Sequence, residues 1–185
     1  MLLVTGGSGS GKSSYAEGRV QEFAVQRGAA LYYLATMQVY GDEGRKKVRR
    51  HIELRRGKGM ITIEKTRDVR DSVSSMEAGE RCLILEDIGN LVANEMFLDN
   101  GEIRSWQEVS EKVVSDVLLL RQSVSCLVLV TNQVFEDGIS YEEGTRNYQR
   151  ALGQVNRLLA REASEVVEVV VGIPQIIKPK IPYEG

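Results

Sequence analysis

The chain has few of the residues that build disulfide frameworks, linkers or membrane spans. Its 185 residues include two cysteines, three prolines, one tryptophan and one histidine, and aromatic residues make up 6%. Two cysteines, Cys82 and Cys126, each opening an apolar run, suit reduced core thiols of a cytoplasmic protein better than a disulfide scaffold. No apolar run reaches membrane-spanning length, and Met1 leads straight into a strand pattern rather than a signal peptide, with no room for an N-terminal extension. A formal net charge of −2 gives no global basic field to draw the protein to nucleic acid or to a membrane. With no low-complexity tract and no linker-like stretch, 1–185 reads as a single domain.

What is present is an alternation of short apolar runs with longer, helically periodic ones. Strands are expected at Leu2 to Thr5, Ala30 to Ala35, Met60 to Glu64, Arg81 to Glu86 and Cys126 to Thr131. Helices are expected at Ser13 to Gln26, in the charged stretch from Gly41 to Leu54, at Ile103 to Gln122 and at Gly144 to Glu162. Val166 to Val171 and Ile176-Ile177 flank Gly172-Ile173-Pro174, which predicts a closing antiparallel hairpin. The pattern predicts an α/β fold of RecA-type, P-loop NTPase-like character, its mostly parallel sheet covered by helices on both faces.

The segment Gly6-Gly7-Ser8-Gly9-Ser10-Gly11-Lys12-Ser13 satisfies the P-loop spacing between a strand and a helix. Its glycines let backbone N–H groups turn inward onto phosphate oxygens, and the following helix adds its positive dipole end. Lys12 would reach the terminal phosphates, and the Ser13 hydroxyl would ligate Mg²⁺. The four specified positions match by chance in about 1% of chains this long, before the flanking strand and helix are required. A second Mg²⁺ ligand is expected at the end of a neighbouring strand, with Glu86 ahead of Asp87, although an acidic residue that merely ends a strand is the commoner case.

The only histidine, His51, follows Lys46, Lys47, Arg49 and Arg50 and precedes Arg55 and Arg56. A solvated basic helix face accounts for this. So does a nucleophilic imidazole whose attack on an α-phosphate is supported by neighbouring guanidinium groups.

Together these motifs resemble the bifunctional adenosylcobinamide kinase and adenosylcobinamide-phosphate guanylyltransferase family of cobalamin biosynthesis. The resemblance rests on LLVTGGSGSGKSSYAE, LYYLATMQVYGDE, the Arg-rich segment around His51, LILEDIGNLVANEMF, LVLVTNQV and GQVNRLLAREASEVVEVVVGI. It implies nucleotide contacts along Gly6 to Ser13, at Ala35, Thr36 and Met37, and at Glu64 and Glu86. It makes His51 the guanylylated residue and Ile52, Glu53, Leu54 and Arg55 a GTP-binding stretch. GTP and ATP with Mg²⁺, a corrinoid acceptor and a homotrimer are implied in the same way. The chain departs from the family at Arg56-Gly57, where a proline is usual, at Met60 near a usual tryptophan, and at Gln133-Val134-Phe135, where Glu-Val-Gly is usual. A kinase for another small alcohol and a GTP-dependent regulatory protein are the competing readings.

Overall fold

The computed structural model describes residues 1–38, 57–133 and 141–180. Its strands are β1 Leu2–Thr5, β2 Ala30–Ala35, β3 Met60–Glu64, β4 Arg81–Glu86, β5 Cys126–Val130, β6 Glu165–Val170 and β7 Ile173–Lys178. Its α-helices are α1 Lys12–Arg27, α2 Ile88–Met96, α3 Trp106–Ser123 and α4 Glu143–Glu162, with a 3-10 helix at Val69–Ser75. The strands form one sheet in the order β3-β2-β4-β5-β1-β6-β7. All neighbours are parallel except β6 and β7, so the mostly parallel sheet and its terminal hairpin match the sequence expectation.

Burial follows from the composition of the strands. Leu83, Ile84 and Leu85 of β4 and Val128, Leu129 and Val130 of β5 are fully buried, as central parallel strands covered on both faces require. Helix α1 covers one face through Ala16, Val20 and Ala24 against Leu2, Val4, Ile84 and Val128. On the other face α2, α3 and α4 pack through Leu91, Val113, Val117, Leu152 and Val155 onto Leu3, Leu83, Leu85 and Leu129. Arg19 of α1 forms a two-pronged contact with Glu165 of β6 at 3.1 Å on each side, which fixes the helix over that strand. Cys82 and Cys126 lie opposite each other on β4 and β5 as free thiols, and burial pushes Cys126 up to about 12.

Two sequence expectations change in detail. Helix α3 starts at Trp106 rather than Ile103, because Ser105 and Glu108 form a capping box that closes the first turn there. Ile103 lies outside the helix, 60% exposed, in a short bridge with Phe97. The turn of the hairpin is Val171-Gly172, both with left-handed backbone (φ 45° and 83°), and Ile173-Pro174 already belongs to β7. Helix α2 and the 3-10 helix are additional to the expected elements; α2 is nine residues long and buried on nearly all sides. The charged segment expected to be helical, 41–54, lies outside the described residues.

Candidate functional site

Strand register brings the site together. Ala35 of β2 pairs with Glu64 of β3 on one side and Glu86 of β4 on the other, and Glu86 is level with Val130 of β5. These residues form one row at the C-terminal edge of the sheet, where the loop after β1 also emerges. That edge is where open α/β sheets bind ligands.

The loop from Gly6 to Gly11 has the backbone a phosphate cradle needs. Gly6, Gly9 and Gly11 have positive φ (153°, 71° and 91°), and Ser10 N–H donates to Gly7 carbonyl at 3.2 Å to close the curl. A Cβ on Gly6 would lie 2.5 Å from the Val169 carbonyl oxygen and 2.6 Å from Ser10 Oγ. The hairpin turn braces the loop from the other side, with Gly172 N–H donating to Ser10 carbonyl at 2.8 Å. Gly6→Ala should therefore force the loop open and weaken nucleotide binding by about tenfold or more, measured by titration with a fluorescent nucleotide. Unchanged affinity would show that the close approach is not needed.

Lys12 is buried, and its Nζ donates to the Gly7 carbonyl at 3.0 Å. Burial holds its pKa below the ordinary lysine value, partly offset by the nearby carboxylates of Asp87 and Glu86. The ammonium is thus pre-positioned over the loop. Ser13 donates its hydroxyl to Glu86 Oε1 at 2.5 Å, and Tyr33 donates to Glu86 Oε2 at 2.8 Å. A hard cation takes oxygen donors. The paired Ser13 hydroxyl and Glu86 carboxylate, beside a loop built for phosphate, fit Mg²⁺ well. Asp87 instead caps α2, accepting from Asn90 N–H at 2.6 Å and from Asn90 Nδ2 at 3.0 Å. Its pKa is pushed up by burial, against the pull of Asn90, Asn132 and Lys12.

Thr36 is fully buried, its N–H donates to Glu86 carbonyl at 3.0 Å, and its hydroxyl donates to Asp87 carbonyl at 2.8 Å. It staples β2 to the end of β4 and presents no side chain to a ligand. Ala35 and Met37 flank it, half-buried, and Glu64 is exposed on the edge strand in the same row. His51, Ile52, Glu53, Leu54 and Arg55 lie outside the described residues.

Four contributors were not legible in the sequence. Tyr33 reaches Glu86 because alternate residues of β2 face the α1 side, but an apolar run of two tyrosines gives no sign of that contact. Buried Asn94 holds both site loops, donating to Thr36 carbonyl at 2.8 Å and Thr66 carbonyl at 3.0 Å. Asn132, in the TN dipeptide after β5, bonds the Asp87 carboxylate. Tyr148 of α4 approaches Gly89 carbonyl at 3.4 Å, and a Cβ on Gly89 would crowd Asp87, Tyr148 and Asn132 at 3.1 to 3.3 Å.

With the cradle, Lys12 and the Ser13–Glu86 pair in place, the similarity to known proteins can be read against geometry. The family profile described as cobinamide kinase / cobinamide phosphate guanyltransferase matches residues 2–177. The chain belongs to this family. It is 32% identical to the bifunctional adenosylcobalamin biosynthesis protein CobU of Salmonella typhimurium over 186 residues, covering 96% of this chain and 99% of that protein. The protein of the same description from Escherichia coli is 28% identical with the same coverage. Among solved structures, an ATPase domain aligns with a TM-score of 0.50 at 11% identity, covering 90% of this chain and 68% of that one, a likeness of fold alone.

Proposed function

We propose that this chain phosphorylates a cobinamide and then transfers GMP to the cobinamide phosphate, in the pathway to adenosylcobalamin. The observation that carries the reading is the convergence of Lys12, Ser13 and Glu86 on one phosphate cradle, in a chain matched by the family over residues 2–177. In the kinase half, the acceptor hydroxyl oxygen bonds to the γ-phosphorus as the bond to the bridging oxygen of the β-phosphate breaks. The work of the protein is positioning and charge stabilisation. The loop N–H groups and Lys12 hold the phosphates, while Tyr33 and Ser13 orient the Glu86 carboxylate. Mg²⁺, held by Ser13 and Glu86 when bound, would supply further neutralisation of phosphate charge.

In the guanylyltransferase half, a nitrogen of neutral His51 bonds to the α-phosphorus of GTP and pyrophosphate leaves. A phosphate oxygen of cobinamide phosphate then displaces the histidine, giving the GDP-linked product and free His51. GTP labelled at the α-phosphate should leave an acid-labile, base-stable adduct on the wild-type protein and none on His51→Ala. An adduct on His51→Ala would move the nucleophile to another residue, and no adduct at all would leave only a kinase for a small alcohol.

The expected homotrimer has a physical rationale in β7. This edge strand exposes Ile173, Ile176 and Ile177 at 61%, 64% and 60%, a flat apolar edge of the kind that associates with another chain. Ile176→Lys with Ile177→Lys should shift the sedimenting species to monomer; an unchanged mass would place the interface elsewhere. No described helix is long and apolar enough to cross a membrane. The free thiols of Cys82 and Cys126 support the cytosol as the working compartment.

A further inference from the structure

The outward face of α4 carries charge that helix stability does not explain. Arg146, Arg150, Gly153, Gln154 and Arg157 lie at steps of three and four residues, so they share one face, and with Trp106 of α3 they line an open groove of about 540 Å³. Arg146 and Arg150 are a like-charge pair at i,i+4, and Arg157 and Arg161 are another, an arrangement that weakens an isolated helix. Arg146 and Arg150 also sit in the N-terminal half of α4, where the helix dipole disfavours cations.

No carboxylate lines the groove, and none of its three arginines forms an ion pair among the described residues. Two of them donate to amides: Arg157 to Gln154 Oε1 at 2.7 Å through Nη2 and 3.2 Å through Nε, and Arg150 to Asn147 Oδ1 at 3.5 Å. Arg146, Arg150 and Arg157 are exposed, while Trp106 is half-buried as one wall. The opposite face of α4, with Leu152, Val155 and Leu159, is packed into the core, so the body of the helix separates this groove from the sheet.

We propose that this groove is a second site for a nucleoside polyphosphate, separate from the phosphate cradle. Guanidinium forks match phosphate oxygens two at a time, and the three of them span about 16 Å along the helix. Gly153 leaves the floor open between them. The indole of Trp106 offers the flat face on which a base stacks. The volume lies within the range of small-molecule sites. A net charge of −2 for the whole chain argues against a long nucleic acid as the occupant.

Trp106 is the only tryptophan, so its emission reports directly on the groove. Titration of the full chain with GTP should give a saturable change in that emission. The change should persist in Lys12→Ala, whose cradle is disabled, and its midpoint should rise about tenfold or more in Arg150→Gln with Arg157→Gln. Tripolyphosphate should bind more weakly than GTP, and guanosine should give no saturable change. The proposal is overturned by the absence of a saturable signal at millimolar GTP. It is equally overturned by a signal that disappears in Lys12→Ala, by one indifferent to the two arginine substitutions, or by equal midpoints for GTP and tripolyphosphate.

Discussion

Lys12→Ala should lower kinase turnover by about a hundredfold to a thousandfold, the usual cost of removing one pre-positioned charge from a transfer site. The ammonium needs no large movement to act: it already lies over the loop, 3.0 Å from the Gly7 carbonyl, with Glu86 and Asp87 nearby. Since that bond also helps close the loop, Lys12→Arg is the informative companion. It keeps the charge but has a planar head that does not fit a contact built for a compact ammonium. Its turnover should stay well below that of wild type while the thermal midpoint is retained. Initial rates of phosphoryl transfer to cobinamide, with GTP and with ATP, measure both effects. A loss of less than tenfold in Lys12→Ala would remove the residue from the chemistry.

The second large effect is on stability and lies away from the cradle. Asp68, Glu95 and Asp116 bring carboxylate oxygens within 4.8 Å of one another, a spacing that could hold a metal ion. The Lys112 ammonium occupies that position instead, at 2.7 Å from Asp68, 3.1 Å from Glu95 and 2.8 Å from Asp116. Glu95 and Asp116 are almost fully buried, so Lys112→Met would leave two carboxylates short of their main counter-charge. Arg104, at 2.9 Å from Glu95, and Arg70, at 3.7 Å from Asp116, remain. The expected cost is therefore about 3 kcal/mol, the lower end of the range for breaking a buried pair. For a chain of this length that is a fall of about 6 to 12 °C in thermal midpoint.

Burial opposes the charged form of Lys112, but the hydrogen bonds its ammonium donates to Asp116, Asp68 and Glu95 outweigh it and hold the pKa above the ordinary value. A raised folded pKa means stability that is complete below the unfolded value of about 10.4 and is lost as pH rises above it. Wild-type protein should lose stability in that alkaline window faster than Lys112→Met does. Parallel slopes from denaturant titrations across the window would show that the ammonium is not the group responsible.

The network also shows why part of the site was hidden in the sequence. Asp68, Glu95 and the Lys112–Asp116 pair read as ordinary surface charges on separate segments, and only the packing of α2, α3 and the 3-10 helix turns them into one cluster around two buried carboxylates. The same holds for Asn94 and Tyr33. Neither belongs to a motif, because each acts on a loop or strand that is distant in the chain but adjacent in the sheet.

The sequence by itself determined the phosphate loop, the strand and helix flanking it, the parallel sheet with its closing hairpin, and the family to which the chain belongs. Those depend on local chemistry: glycines where the backbone must curl, apolar runs where both faces are covered, and a fixed spacing to Lys12 and Ser13. Only the tertiary structure decided that Glu86 faces Ser13 while Asp87 caps a helix, that Thr36 staples β2 to the end of β4, and that an arginine face lies open on α4. Those depend on strand register and on the direction in which each side chain leaves its element, and two adjacent carboxylates in a sequence carry no record of which one turns toward the loop.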